Sequence, residues 1–181
     1  GETRIGQAGQ RTPPDWFEQW TRATGNCVWD SNIASALWSK LAINCVINPL
    51  TAVHGCRNGE LASRSELASQ LAILCDEVAC VSRAAGFGDI AEKLKPTVAA
   101  VIAGTADNRS SMLQDIESGR RTEIDYITGY LIKVAEQYGI QSPHNRSLPL
   151  PRRLALVDKR VHPLFLVVGA KEHVEQLAFI V

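Results

Sequence analysis

Trp38-Ser39-Lys40-Leu41-Ala42-Ile43-Asn44-Cys45-Val46-Ile47-Asn48-Pro49 is the stretch on which the reading of this chain turns. Ile33, Leu37, Leu41 and Cys45 fall at four-residue intervals, the spacing of an apolar stripe on an α-helix. A helix is therefore expected from about Asn32. At roughly 100° per residue, Lys40, Asn44 and Asn48 share one face of it. Ile43, Val46 and Ile47 leave little of the remaining surface for solvent. One lysine and two asparagines on so apolar a helix must be hydrogen-bonded or must line a cleft. A partly buried lysine suits a general acid, because desolvation lowers its pKa toward working pH. Asparagine offers both a donor and an acceptor without charge, which suits a hydroxyl or a carboxylate. By this pattern alone, a solvated polar stripe is the competing account. Pro49 is expected to kink or end the helix, with Asn48 at the bend.

Working outward, residues 1–14 read as the end of a strand (Thr3-Arg4-Ile5) followed by a linker. A short helix is expected over residues 15–24 with Asp15 as its cap, and a strand-like piece at Cys27-Val28-Trp29. Asn58-Gly59 marks a turn. Ser65-Glu66 opens a long helix through Leu67, Leu71, Leu74, Val78 and Val81, and Gly86 and Gly88 suit its end. Further helices are expected over Ile90–Ala103 with Pro96 inside, over Ser111–Ser118 behind a Ser111-x-x-Gln114 capping box, and over Thr122–Tyr138. Ser142-Pro143-His144-Asn145 reads as a loop. Prolines interrupt residues 147–181, where Leu164–Val168 is a continuous apolar run. The fold class is mainly α, with five or six helices in a compact bundle.

Composition narrows the function. Formal net charge is zero, so nothing at the level of the chain points to nucleic acid or an anionic membrane. Arginines gather at Arg120, Arg121, Arg152 and Arg153, where solvated charge is favoured over a phosphate site. Five cysteines lack any CxxC pair, and four histidines are scattered, so neither a metal site nor a disulfide framework is expected. No continuous apolar run reaches membrane-spanning length and no signal-peptide core precedes residue 15, so a soluble cytoplasmic protein is expected. GxGxxG and Walker loops are both absent.

Two further clusters carry polar groups in suggestive positions. In Asn108-Arg109-Ser110-Ser111-Met112-Leu113-Gln114-Asp115, a helix start beside two serine hydroxyls would hold an anion, although plain capping explains the same residues. In Thr122-Glu123-Ile124-Asp125-Tyr126, the acidic residues suit the first turn of any helix, and could equally bind ribose hydroxyls or tune a lysine.

Taken together, Gly1–Gly6, Trp38–Thr51, Asn58–Leu61, Ser110–Asp115 and Thr122–Tyr126 resemble, in order and spacing, the ketopantoate reductases (2-dehydropantoate 2-reductases). The resemblance covers about residues 1–148. It implies a helical C-terminal domain of the 6-phosphogluconate-dehydrogenase-like type over residues 15–148. Residues 1–14 would end a nucleotide-binding domain, and residues 149–181 would be an atypical tail, since their prolines break the family's terminal helix. It implies NADPH-dependent reduction of 2-dehydropantoate to (R)-pantoate, with NADPH bound mainly by a Rossmann domain outside this chain. Lys40 matches the proton donor. Asn44, Asn48 and Asn58 match substrate contacts, as do Ser111, Met112, Leu113 and Gln114. Glu123 matches a carboxylate on the cofactor's ribose. The partner implied is a small 2-oxo acid, and a homodimer is left open. Three rivals stand beside this: reduction of another 2-oxo acid, a non-catalytic helical dimerisation module, and an anion-binding regulatory domain.

Overall fold

The computed structural model describes residues 3–149 and the strand at 177–180. The chain divides into two compact units, one reaching from the start of the chain to Ser39 and including the terminal strand, the other beginning at Lys40. The first unit holds β1 (Thr3–Gln7), α1 (Trp16–Thr24), β2 (Cys27–Trp29) and β3 (Leu177–Ile180). β1 and β2 run parallel, with Thr3 opposite Cys27 and Ile5 opposite Trp29. Parallel neighbours need a crossover, and α1 supplies it. β3 pairs antiparallel on the other side of β1, giving the order β2-β1-β3. Gly6 is required where β1 meets the next helix, because a Cβ there would stand 2.5 Å from Ile33 Cβ. The two strands beside α1 follow the sequence reading. The terminal strand was not foreseen. The Leu164–Val168 run and Arg152 and Arg153 lie outside the described residues.

α2 (Ile33–His54) begins in the first unit and continues into the second. It does not end at Pro49, one of the two outcomes expected from sequence, but runs on to His54. A proline inside a helix costs about 3 kcal/mol through its lost N–H and the ring's clash with the preceding turn. Here Cys45, Val46, Ile47 and Leu50 surround it with at most 3 % exposure each. Burial of each such side chain contributes roughly 1.5–3 kcal/mol, so packing outweighs the proline. Thr51 Oγ lies 3.1 Å from the Ile47 carbonyl and 3.0 Å from that of Asn48, which further fixes this turn. By length and composition alone α2 could cross a membrane, but most of it is buried inside the protein, as in a core helix.

The second unit is the helical bundle. It continues with α3 (Glu60–Ser63), α4 (Ser65–Ala84), α5 (Gly88–Gly104), α6 (Ser111–Glu117), α7 (Ile124–Gln137) and α8 (Pro143–Ser147). Leu67, Leu74, Val78 and Val81 of α4 and Ala91, Leu94, Val98 and Ile102 of α5 are all buried, and these two helices pack extensively on each other. Gly86, at φ 89°, turns the chain between them. Gly88 does not close α4 as expected, but opens α5. Six helices occupy the expected places. α3 was not foreseen, and α8 stands where a loop was expected. Helices of four and five residues are too short to show a 3.6-residue period. All five cysteines are free thiols; Cys45, Cys56 and Cys75 are buried, and burial pushes Cys75 up to about 11.

Candidate active site

The polar face of α2 changes character along its length. Lys40 is exposed, Asn44 is half-buried and Asn48 is only 7 % exposed. The partly buried lysine expected from sequence is therefore corrected. Leu37, Trp38, Leu41 and Ala42 take the core side of this turn, and Lys40 projects from the remaining side. Glu123 is an electrostatic neighbour of Lys40. Burial raises the Glu123 carboxyl above the usual range, Asp115 raises it further, and Lys40 opposes both by favouring the charged form. Lys40, Asp115 and Glu123 thus form one charged group drawn from α2, α6 and the approach to α7. Arg120 Nε donates to Asp115 Oδ1 at 2.9 Å, and Arg121 lies 3.5 Å from Asp125, so both described members of the arginine cluster face carboxylates.

Glu123 precedes α7 rather than sitting in its first turn. It is the N-cap residue, its backbone carbonyl accepts from Tyr126 and Ile127, and its side chain makes no capping bond. The carboxylate is left to its charged neighbours.

α6 begins one residue earlier in its capping than the sequence suggested. Ser110, not Ser111, is the cap: its extended backbone turns Oγ inward to accept from Leu113 N at 3.1 Å. Gln114 does not complete a capping box but donates from Nε2 to the Arg109 carbonyl at 2.9 Å. Ser110 Oγ also lies 2.6 Å from Thr51 Oγ. Each hydroxyl has one proton. Every acceptor is satisfied if Ser110 donates to Thr51 and Thr51 donates to an α2 carbonyl, while Ser110 accepts from Leu113. This relay pins the start of α6 to α2 beside Asn48. Of the four residues expected here, Ser111 and Gln114 are exposed, whereas the Met112 and Leu113 side chains are core, at 2 % and 3 %. Sequence reasoning missed Thr51, although it lies three residues beyond Asn48 on the face that begins at Lys40.

Asn58 belongs to a second, neighbouring arrangement. Its backbone N–H donates to the Asn108 carbonyl at 3.0 Å, and Gly59 N–H donates to that of Ala106 at 2.9 Å. Arg57 Nη1 donates to the Asp107 carbonyl. Asn58 Nδ2 donates to Thr105 Oγ at 2.9 Å. The turn after α2 and the loop before α6 are thereby laced together. A Cβ on Gly59 would stand 2.9 Å from Ala106 Cβ, so glycine permits this approach. Thr105 carried no signal in the sequence, because its role depends on a partner 47 residues away.

Among the described residues no cluster of three or more His, Cys, Asp or Glu could hold a metal ion. For a dinucleotide, Glu123 offers a half-buried carboxylate suited to accepting from ribose hydroxyls. The β1–α1 connection, residues 8–15, has no glycine fingerprint for the phosphates. The residues present fit one edge of such a cofactor and not its phosphate-binding end.

The fold is a mainly helical domain whose longest helix bears a lysine and two asparagines beside the start of another helix. Residues 32–149 match the family model for ketopantoate reductase PanE/ApbA C terminal, and the chain belongs to that family. A 2-dehydropantoate 2-reductase of Yersinia pestis is 47% identical over 127 residues, which are 70% of this chain and 41% of that protein. The chain spans about two-fifths of the length of the curated relatives it matches. Among solved structures, a PanE/ApbA family ketopantoate reductase from Ralstonia eutropha JMP134 superposes with a TM-score of 0.69 at 26% identity, over 82% of this chain and 49% of that one. The ternary structure of D-mandelate dehydrogenase with NADH and anilino(oxo)acetate gives a TM-score of 0.61 at 25% identity, over 72% of this chain and 43% of that one.

Proposed function

We propose that this chain supplies the substrate-binding and proton-donating half of an NADPH-dependent 2-dehydropantoate 2-reductase. The observation that carries this reading is the placement of Lys40 in the field of Glu123, on the helix face that continues through Asn44 and Asn48 to the pinned start of α6. A 2-oxo acid asks for three things from such a domain: a proton at its ketone oxygen, a site for its carboxylate, and neutral partners for the rest. Lys40 donates the proton and offsets charge developing on that oxygen. Glu123 lies in the field of Lys40 and fits the ribose of the cofactor. NADPH, when bound, supplies the hydride. Asn44, Asn48 and Asn58 offer neutral donors and acceptors. Ser111 offers its exposed hydroxyl to the carboxylate. Because Met112 and Leu113 point into the core, we assign them a backbone role at most, and Leu113 N–H is already used by Ser110. Exposed Gln114 stays a candidate through its side chain. On this reading residues 1–14 close a nucleotide-binding domain, residues 15–148 are the substrate domain, and a cytoplasmic enzyme, as a monomer or homodimer, is expected.

The test is Lys40→Ala in the intact reductase carrying this chain. Loss of a general acid should lower turnover about 10²–10⁴-fold, with a much smaller change in NADPH affinity. Unchanged turnover would remove Lys40 from the mechanism. A second reading, reduction of a different 2-oxo acid, is favoured by the likeness to D-mandelate dehydrogenase. A panel of 2-oxo acids ranked by kcat/KM separates the two.

A further inference from the structure

Ser110 and Ser111 compete for one task. Either hydroxyl could cap α6, Ser110 by accepting from Leu113 N or Ser111 by accepting from Gln114 N one residue later. The structure uses Ser110, whose Oγ accepts from Leu113 N at 3.1 Å, while Ser111 stays exposed. α6 has seven residues, too few to hold a helix unaided, so its seat is set from outside. Met112 and Leu113 are buried in the core, but apolar burial is non-directional and does not choose between two serines. The directional contact comes from α2. Thr51 is wholly buried, and its Oγ lies 2.6 Å from Ser110 Oγ. Thr51 is itself fixed by the Ile47 and Asn48 carbonyls, at 3.1 and 3.0 Å. Ser110 is only 7 % exposed, so water is a poor substitute for this bond.

We propose that Thr51 is a positioning residue that selects Ser110 as the cap of α6, and so leaves the Ser111 hydroxyl free for the carboxylate of a 2-oxo acid. This rests on the reductase reading above. Thr51 acts only through Ser110. Its oxygen accepts the Ser110 proton when Ser110 stands at the cap position with its backbone extended. Without that acceptor, the Ser110 proton is left unpaired in a closed setting, which costs about as much as a cap contributes. The preference for Ser110 then disappears. Ser111 competes for the cap with the same hydroxyl that it otherwise offers to substrate, and a hydroxyl bonded to Gln114 N is withdrawn from the carboxylate.

The experiment follows steady-state kinetics of the intact reductase with 2-dehydropantoate and NADPH, in Thr51→Val, Thr51→Ser, Ser111→Ala and the Thr51→Val/Ser111→Ala double variant. Ser111→Ala should raise the KM for 2-dehydropantoate about tenfold, as the loss of one hydrogen bond to a charged group. Thr51→Val should raise the same KM by a similar factor, with kcat and the NADPH KM little changed. Thr51→Ser should restore the wild-type value. The two losses should not add: once Ser111 is alanine, Thr51→Val should cost less than about twofold more. If valine is not accommodated, Ser110→Ala removes the same bond from its other end and carries the same expectation. A general loosening of the fold would lower kcat, raise both KM values and add in full to Ser111→Ala. That result, or a wild-type KM in Thr51→Val, overturns the inference. An unaltered KM in Ser111→Ala overturns it while leaving the reductase reading intact; a wild type that does not reduce 2-dehydropantoate overturns both.

Discussion

Glu77 shows how much one side chain can hold. It projects from α4, with 11% of its side chain exposed, and meets the first turn of α8. Its Oε1 accepts from His144 N and lies 2.8 Å from His144 Nδ1; its Oε2 accepts from Asn145 N at 2.9 Å and Asn145 Nδ2 at 2.8 Å. A carboxylate from a distant helix thus does what a local N-cap would do, in a segment whose own Ser142 makes no side-chain cap. Burial alone would raise the Glu77 carboxyl, but the bonds from the Asn145 and His144 backbones and side chains win and hold it below the usual range. The sign of the pH effect follows. The unfolded chain binds this proton more tightly, so the stabilisation is complete above the unfolded value of about 4.3 and is lost as pH falls through the lower folded value. Glu77→Ala should lower unfolding stability at pH 7 by about 1–3 kcal/mol and flatten the loss of stability below about pH 4. Denaturant melts of both proteins at pH 7 and in the acid range check this. Equal stability at pH 7, or an unchanged acid slope, would show that the clamp contributes nothing.

At the scale of elements, α2 and α5 each contain a proline and remain continuous, for different reasons. Pro49 lies in the buried half of α2, where packing outweighs its cost. Pro96 is exposed on α5, where little packing compensates. Pro96→Ala should therefore stabilise the protein. A mid-helix proline is about 3 kcal/mol worse than alanine, reduced by up to about 1 kcal/mol because proline also restricts the unfolded chain. A net gain of about 2 kcal/mol should raise Tm by roughly 4–8 °C in a chain of this size. Calorimetry that finds no rise would mean that α5 has already adjusted around its proline. At α6 the lesson is one of position. The serine pair is legible in the sequence, but which serine caps the helix depends on the contact with Thr51 on another element.

For the molecule as a whole, the two units carry different parts of the proposed reaction. The second unit holds Lys40, Asn44, Asn48, Asn58, Ser111 and Glu123. The first holds a parallel strand pair with its crossover helix but, among its described residues, no phosphate-binding loop. The 181-residue chain alone is expected neither to retain NADPH nor to oxidise it with 2-dehydropantoate present. Following the nicotinamide absorbance with purified chain and both reactants checks this; steady oxidation would place a complete cofactor site within these residues.

The sequence by itself determined the mainly helical class, six of the eight helices among the described residues, and the shared face of Lys40, Asn44 and Asn48. These rest on a period repeated over several turns, or on spacing within one helix, and local geometry suffices for both. Separated motifs in their order along the chain also pointed to the family. Only the tertiary structure decided that Pro49 does not break α2, that Lys40 is exposed and faces Glu123, that Ser110 rather than Ser111 is the cap, and that Met112 and Leu113 face the core. It alone found Thr51 against Ser110, Thr105 against Asn58 and Glu77 beneath α8. Each of these depends on a competition between a local preference and a contact tens of residues away. The strength of that contact is fixed by packing and by the number of protons a hydroxyl or amide has to give, neither of which a local pattern records.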